Sequence, residues 1–167
     1  MQKDGSDETV LHTGIDGKKH AYCPYSETSQ NYDQTRAPLG VNVFLGSLAQ
    51  NGSQLDTLNV LDSGRGTGTF MNAIRGQVGS VTGMDHNEGM LKQAKASLGH
   101  KVFLHGSDLL HGSADNLPFE SGKYDACSMN QVVHHFPKDD EYCFLKKSFE
   151  EAFRVLKPGG VLNQEPF

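Results

Sequence analysis

The 167-residue chain is long enough for one domain with a core of its own. Its formal net charge of −5 argues against a nucleic-acid surface, which would carry a basic stripe. No apolar run approaches the ~18 residues of a membrane span, and the opening MQKDGSDETV has no apolar signal core, so neither a span nor a signal peptide is expected.

Hydrophobic residues make up only 36% of the chain, and the polar stretch 1–35 accounts for much of that low figure. Within it, Val10–Thr13 and His20–Tyr22 can pair as a hairpin about Asp16-Gly17, the alternative being a flexible lead-in. The first amphipathic helix follows Pro38: Val41, Phe44, Leu45 and Leu48 fall at i, i+3, i+4 and i+7, and Asn51-Gly52 ends it. A strand is expected at Leu58–Leu61, then a glycine-rich loop, then a helix carrying Phe70, Met71 and Ile74. Ser80–Met84 reads as a second strand ending at Asp85. Asn87 is placed to cap a helix with Met90, Leu91, Ala94 and Leu98 on one face. Val102–Leu104 is the expected third strand and Tyr124–Met129 the fourth, the latter broken by polar residues. Asp139–Leu156 has the strongest helical pattern, with Tyr142, Leu145, Phe149, Phe153 and Leu156 as its apolar stripe and Asp139, Asp140 and Glu141 at its positive end. Lys157-Pro158-Gly159-Gly160 stops that helix, and Val161-Leu162 opens a fifth strand.

Strand–helix alternation at this spacing predicts an α/β fold of βαβ units on a mainly parallel sheet, with right-handed crossovers. Ligands in such sheets bind beyond the C-terminal strand ends. Both the glycine loop and Asp85 fall at such ends. The three cysteines, Cys23, Cys127 and Cys143, are odd in number and widely spaced, which suits a reducing, cytoplasmic setting. Cys127 reads as a core residue. His20 and Cys23 are two candidate ligands and not a site, so no metal is expected.

The loop Leu61-Asp62-Ser63-Gly64-Arg65-Gly66-Thr67-Gly68 narrows the ligand. A phosphate loop would end in Gly-Lys-Ser/Thr, but Gly68-Thr69-Phe70 stands here. A dinucleotide fingerprint wants a third glycine where Thr69 stands. Asp62 at the strand end would repel a pyrophosphate and attract an ammonium or sulfonium. Asp85, at the end of the next strand, can accept both hydroxyls of a ribose. An adenosyl ligand with positive charge and no phosphate, S-adenosylmethionine, satisfies both acids. A plain tight turn, and a helix-capping role for Asp85, are the structural alternatives.

These stretches resemble the class I S-adenosylmethionine-dependent methyltransferases, in particular the small-molecule group that methylates ubiquinone and menaquinone precursors, sterols and arsenite. VLDSGRGTG is similar to the family's first motif and VTGMDHNEGML to its second. GSADNLPFESGKYDACSMNQVVHHF resembles the stretch from the adenine loop through strand four, FEEAFRVLKPGGVL the entry to strand five, and YDQTRAPLG the lead-in to the first helix. The resemblance covers about residue 30 to the end. It implies a Rossmann-like three-layer sandwich over 36–167, following the polar segment 1–35, with S-adenosylmethionine as cofactor and a small-molecule methyl acceptor. It further implies that Asp62, Gly64 and Gly66 line the methionine part, that Asp85 binds the ribose, and that His86 flanks the adenine. Ser113 and Ala114 then stand at the adenine edge, and Asn130 and Gln131 near the sulfonium. Of His134 and His135, His135 is the candidate base, a packing role being the alternative. Tyr32 and Arg36 can close over the ligand from the N-terminal side.

Three departures stand out. Ser113 occupies the place of an acid that accepts from the adenine amino group, with Asp115 or Asp108 as substitutes. Arg65 replaces a small residue, often cysteine; a guanidinium aimed inward would repel a sulfonium, so its side chain is expected in solvent or paired with an acid. The family also continues past strand five into an antiparallel strand pair that is lacking here. That leaves three expectations: a fragment, a second copy covering the strand-five edge as a homodimer, or a non-catalytic binding module. An NAD-type oxidoreductase is the remaining alternative, opposed by Asp62 and Thr69.

Overall fold

The computed structural model describes residues 10–13, 19–22, 38–50, 52–98, 108–137 and 141–164. The expected N-terminal hairpin is present: β1 (Val10–Thr13) and β2 (Lys19–Tyr22) pair antiparallel, with His12 opposite His20. Its Asp16-Gly17 turn, Cys23, Tyr32 and Arg36 lie outside the described residues. Helix α1 (Val41–Gln50) buries Phe44, Leu45 and Leu48, the face that the sequence periodicity marks.

The main sheet contains β3 (Asn59–Ser63), β4 (Ser80–Asp85), β5 (Asp108–His111), β6 (Tyr124–Ser128) and β7 (Leu156–Asn163). Their spatial order is β5-β4-β3-β6-β7 and every pairing is parallel. The connecting helices are α2 (Thr69–Ile74), α3 (Glu88–Leu98) and α4 (Cys143–Val155). The central strand β3 is buried on both faces from Val60 onward, which is why it reads as an apolar run rather than an alternation. One face, bearing Val60, Val81 and Ala126, packs against Phe44 and Leu48 of α1 and Phe70, Met71 and Ile74 of α2. The other, bearing Leu61, Met84 and Cys127, packs against Ala152 and Val155 of α4. Asn87 caps α3 as expected, its side-chain oxygen accepting the Met90 N–H at 3.1 Å.

Two expectations need correction, and a third lies outside the described residues. The Val102–Leu104 strand falls outside the described residues; the strand that pairs with β4 is Asp108–His111, in register from Thr82↔Asp108 to Asp85↔His111. Helix α4 starts at Cys143, after Tyr142 in a left-handed conformation (φ 53°), and its buried stripe is Phe144, Ser148, Glu151, Ala152 and Val155. Tyr142 and Phe153 are 67% and 64% exposed. Leu145 and Phe149 are half-buried against the core and Leu156 is buried, so the expected stripe forms one margin of a face that also takes in two polar residues. Both have partners inside: the Ser148 hydroxyl donates to the Phe144 carbonyl at 2.8 Å, and Glu151 accepts the Leu117 N–H at 2.8 Å. Finally, Lys157-Pro158-Gly159-Gly160 does more than stop the helix. Leu156 already pairs with Tyr124 and the next pair is Ala126↔Val161, so the four residues bulge out of β7. Lys157 ties the bulge to β6 through Asp125 at 2.7 Å, and the other oxygen of Asp125 takes the Asn59 N–H at 2.9 Å.

Candidate functional site

From β3 the chain builds outward through β4 and β5, then returns to the other side of β3 for β6 and β7. The strand order therefore reverses between β3 and β6, and a crevice opens there beyond the strand C-termini. Asp62 near the end of β3 with Gly64 and Gly66 beyond it, Asp85 at the end of β4 with His86 beyond it, and Asn130, Gln131 and His135 after β6 all line this one cleft. Phe70 and Met90, read from periodicity as core residues, also form apolar wall here, together with Val132.

The glycine loop is held by backbone. The Gly64 and Arg65 N–H groups both donate to the Met84 carbonyl, at 2.8 and 3.1 Å. The Gly66 N–H donates to one carboxylate oxygen of Asp85 at 2.7 Å, and the Asn87 N–H to the other at 2.9 Å. Asp85 thus binds the loop to the strand end, and each of its oxygens keeps a lone pair for a ligand hydroxyl. Gly64 is required twice over: its φ is +79°, and a Cβ there would lie 2.2 Å from Val132 Cγ2. Gln131 opposite is a non-glycine residue at φ 52°, a conformation costing about 1–2 kcal/mol that the cleft holds in place.

The electrostatics centre on Asp62. It is 1% exposed and its Oδ2 has no hydrogen-bond partner. Burial pushes its pKa up to about 7, against the pull of Arg65 and with a further push from Asp85. Sequence reasoning missed how far this polarity extends. Asp62 pairs in register with Ser128, and Ser128 with Asn163, so the three lie in one row across the sheet. Ser128 Oγ and Asn163 Nδ2 are also buried without partners. The available signal was the polar Ser128 at the end of an otherwise buried strand.

Arg65 departs from expectation. It reaches neither solvent nor a hydrogen-bonded acid: it is 5% exposed, and none of its three guanidinium nitrogens has a partner. The side chain fills a slot that two glycines leave open. A Cβ on Gly68 would fall 1.7 Å from its Nη2, and one on Gly83 2.4 Å from its Cδ. Burial lowers its pKa, while Asp62 and Asp85 hold it up.

Other candidates are less central. Ser113 and Ala114 do not line the cleft, although the Gly112 N–H donates to the Asp85 carbonyl at 3.1 Å and brings their turn alongside. The Ser113 hydroxyl donates to the buried Asp115 carboxylate, and Ala114 packs with Phe136 and Phe144. Asp108 opens β5. His86 Nδ1 lies 3.6 Å from Asp85, and the His134 and His135 rings meet at a 49° tilt with centroids 3.7 Å apart. Among the described residues no helix is long and apolar enough to cross a membrane.

Comparison with known proteins agrees with this geometry. The chain is 32% identical over 142 residues to the demethylmenaquinone methyltransferase of Lactococcus lactis, covering 81% of this chain and 54% of that protein. The enzyme of the same name from Desulfitobacterium hafniense is 33% identical over 87 residues, covering 52% of this chain and 32% of its own length. The chain thus spans about a third to a half of the curated relatives it matches. Among solved structures, a putative methyltransferase from Bacillus halodurans superposes with a TM-score of 0.56 at 30% identity, covering 71% of this chain and 49% of that one. A putative S-adenosyl-L-methionine-dependent methyltransferase from Methanococcus maripaludis reaches a TM-score of 0.64 at 19% identity over 83% of this chain and 63% of that one, a likeness of fold. The methyltransferase domain family matches residues 61–163, which take in the glycine loop, Asp85, the turn after β6 and all of β7. This chain belongs to that family.

Proposed function

We propose that the chain carries the donor site of an S-adenosylmethionine-dependent methyltransferase that acts on a small molecule. The observation that carries this reading is the pair of buried carboxylates, Asp62 and Asp85, on adjacent strand ends either side of a glycine loop in one cleft. Asp85, hydrogen-bonded to Gly66, is set to accept the ribose hydroxyls. Asp62, with an unsatisfied oxygen, faces the ammonium and sulfonium end. Gly66 has no atom within 4 Å of where its Cβ would stand, so the ligand can approach its backbone. His86 flanks the adenine, Ser113 and Ala114 stand at its outer edge, and Asn130 and Gln131 border the methionine part.

Methyl transfer is an in-line displacement in which the acceptor's nucleophile takes the methyl group and a neutral thioether leaves. Positioning supplies much of the rate. Where the acceptor must also lose a proton, His135 is the base that lines the cleft. A second copy of the chain along the outer edge of β7 belongs to the same proposal. Two of its relatives are named for demethylmenaquinone, so a demethylated menaquinone is the first acceptor to try. Titration calorimetry with S-adenosylmethionine and with NAD tests the donor: the former should bind, and binding of NAD alone would reject the reading.

A further inference from the structure

Arg65 is a charge that the donor site did not need. Its guanidinium is buried in the wall of the cleft, carries no hydrogen bond, and interacts electrostatically with two buried carboxylates, Asp62 and Asp85. It does not arrive there by default, because a Cβ on either Gly68 or Gly83 would collide with it. In so dry a place charges act with little screening. Above the Asp62 pKa, where both carboxylates are ionised, they alone would present a net charge of two negatives to the ligand; with Arg65 the net charge is one negative.

We propose that Arg65 is a specificity-determining residue, which weakens the preference of the cleft for a sulfonium and so brings the affinities of donor and spent donor together. The inference rests on the S-adenosylmethionine reading. The donor and its product, S-adenosylhomocysteine, share adenine, ribose, ammonium and carboxylate. They differ in one methyl group and in the charge on sulfur. The ratio of their affinities therefore reads the potential at the sulfur and cancels almost everything else. A positive charge folded beneath the loop lowers that ratio, because it opposes the sulfonium and leaves the neutral thioether untouched.

The test is calorimetry of both ligands at about pH 9, where Asp62 is ionised, with the unaltered chain, Arg65→Met and Arg65→Lys. Methionine keeps the volume without the charge, and lysine keeps the charge. Arg65→Met should raise the donor-over-product affinity ratio fivefold or more, and Arg65→Lys should leave it within twofold. If Arg65→Met does not fold, Arg65→Cys removes the charge with a smaller side chain and should shift the ratio in the same direction. Equal weakening of both ligands, with an unchanged ratio, would mean that Arg65 holds the shared carboxylate and would overturn the proposal. A ratio that shifts equally in the lysine variant would overturn it too, since shape and not charge would then be responsible. Failure of either ligand to bind the unaltered chain would reject the donor reading itself, which separates the two failures.

Discussion

Two acid–arginine pairs with the same three-residue spacing, Glu151–Arg154 and Asp62–Arg65, behave in opposite ways. The first lies on α4, where one helical turn brings the side chains to 2.7–2.8 Å. Glu151 also accepts the Leu117 N–H, and Arg154 donates to the Leu117 and Phe119 carbonyls at 2.9 and 2.7 Å. Their hydrogen bonding holds the glutamate pKa down and the arginine pKa up. The second pair spans a strand end and a glycine loop. Burial without hydrogen bonds drives the aspartate up and the arginine down. The satisfied pair pins the loop entering β6, which is a structural task. The unsatisfied pair faces a cleft, and groups left unpaired in such a place are kept for a ligand.

The comparison is broken most forcefully at its structural member. Arg154→Ala leaves the Glu151 carboxylate and two loop carbonyls short of partners. Because Arg154 is partly exposed, the expected loss is about 2–3 kcal/mol of unfolding free energy in urea. The same variant should bind donor as the unaltered chain does, and a large change in affinity would show that the two regions are not separate.

At the site, Asp85→Ala removes the acceptor of the Gly66 and Asn87 N–H groups and of the ribose hydroxyls. Donor affinity should fall roughly 10- to 100-fold, the range for a hydrogen-bonded charged group. Equal affinity in calorimetry would remove Asp85 from the ribose. A milder test separates the loop from its ligand. Gly64→Ala places a methyl group against Val132 at positive φ and should lower stability by about 1–3 kcal/mol, measurable as a lower thermal midpoint without ligand.

Much of this was legible from sequence, for a physical reason. The strands and α1 are set by hydrophobic burial, and burial leaves a periodic trace. Asp62, Gly64, Gly66 and Asp85 converge because each directly follows or ends a parallel strand, and strand ends share one side of the sheet. Where polar residues are buried the trace misleads. On α4 the trace missed Ser148 and Glu151, which are inside, and misplaced Phe153, which is outside. Arg65 was misplaced for the same reason: nothing in its own segment announces the slot at Gly83, eighteen positions further along the chain. The Asp62–Ser128–Asn163 row joins three strands and exists only in register.

Asp62 gives the sharpest contrast between the pairs. Its folded pKa of about 7 lies above the ordinary 3.8, so between those values the folded chain holds a proton that the unfolded chain has released. Stability of the ligand-free chain must therefore fall as pH rises through that window and level off above it. Asp62→Asn has no such proton and should be the more stable form at pH 8, by up to about 4 kcal/mol, while matching the unaltered chain near pH 4. Donor binding should run the other way. A cation prefers the ionised acid, so affinity for the unaltered chain should strengthen from pH 6 to pH 8 and stay flat and weaker in Asp62→Asn. Glu151→Gln offers the mirror image, because a carboxylate whose pKa is held down stabilises the fold above its unfolded value and loses that contribution only in acid. Replacing it should destabilise at pH 8 and leave donor binding unmoved. If urea titrations instead show Asp62→Asn to be the less stable at pH 8, its carboxylate is held in place by the fold, and the division between a structural pair and a ligand-facing pair fails.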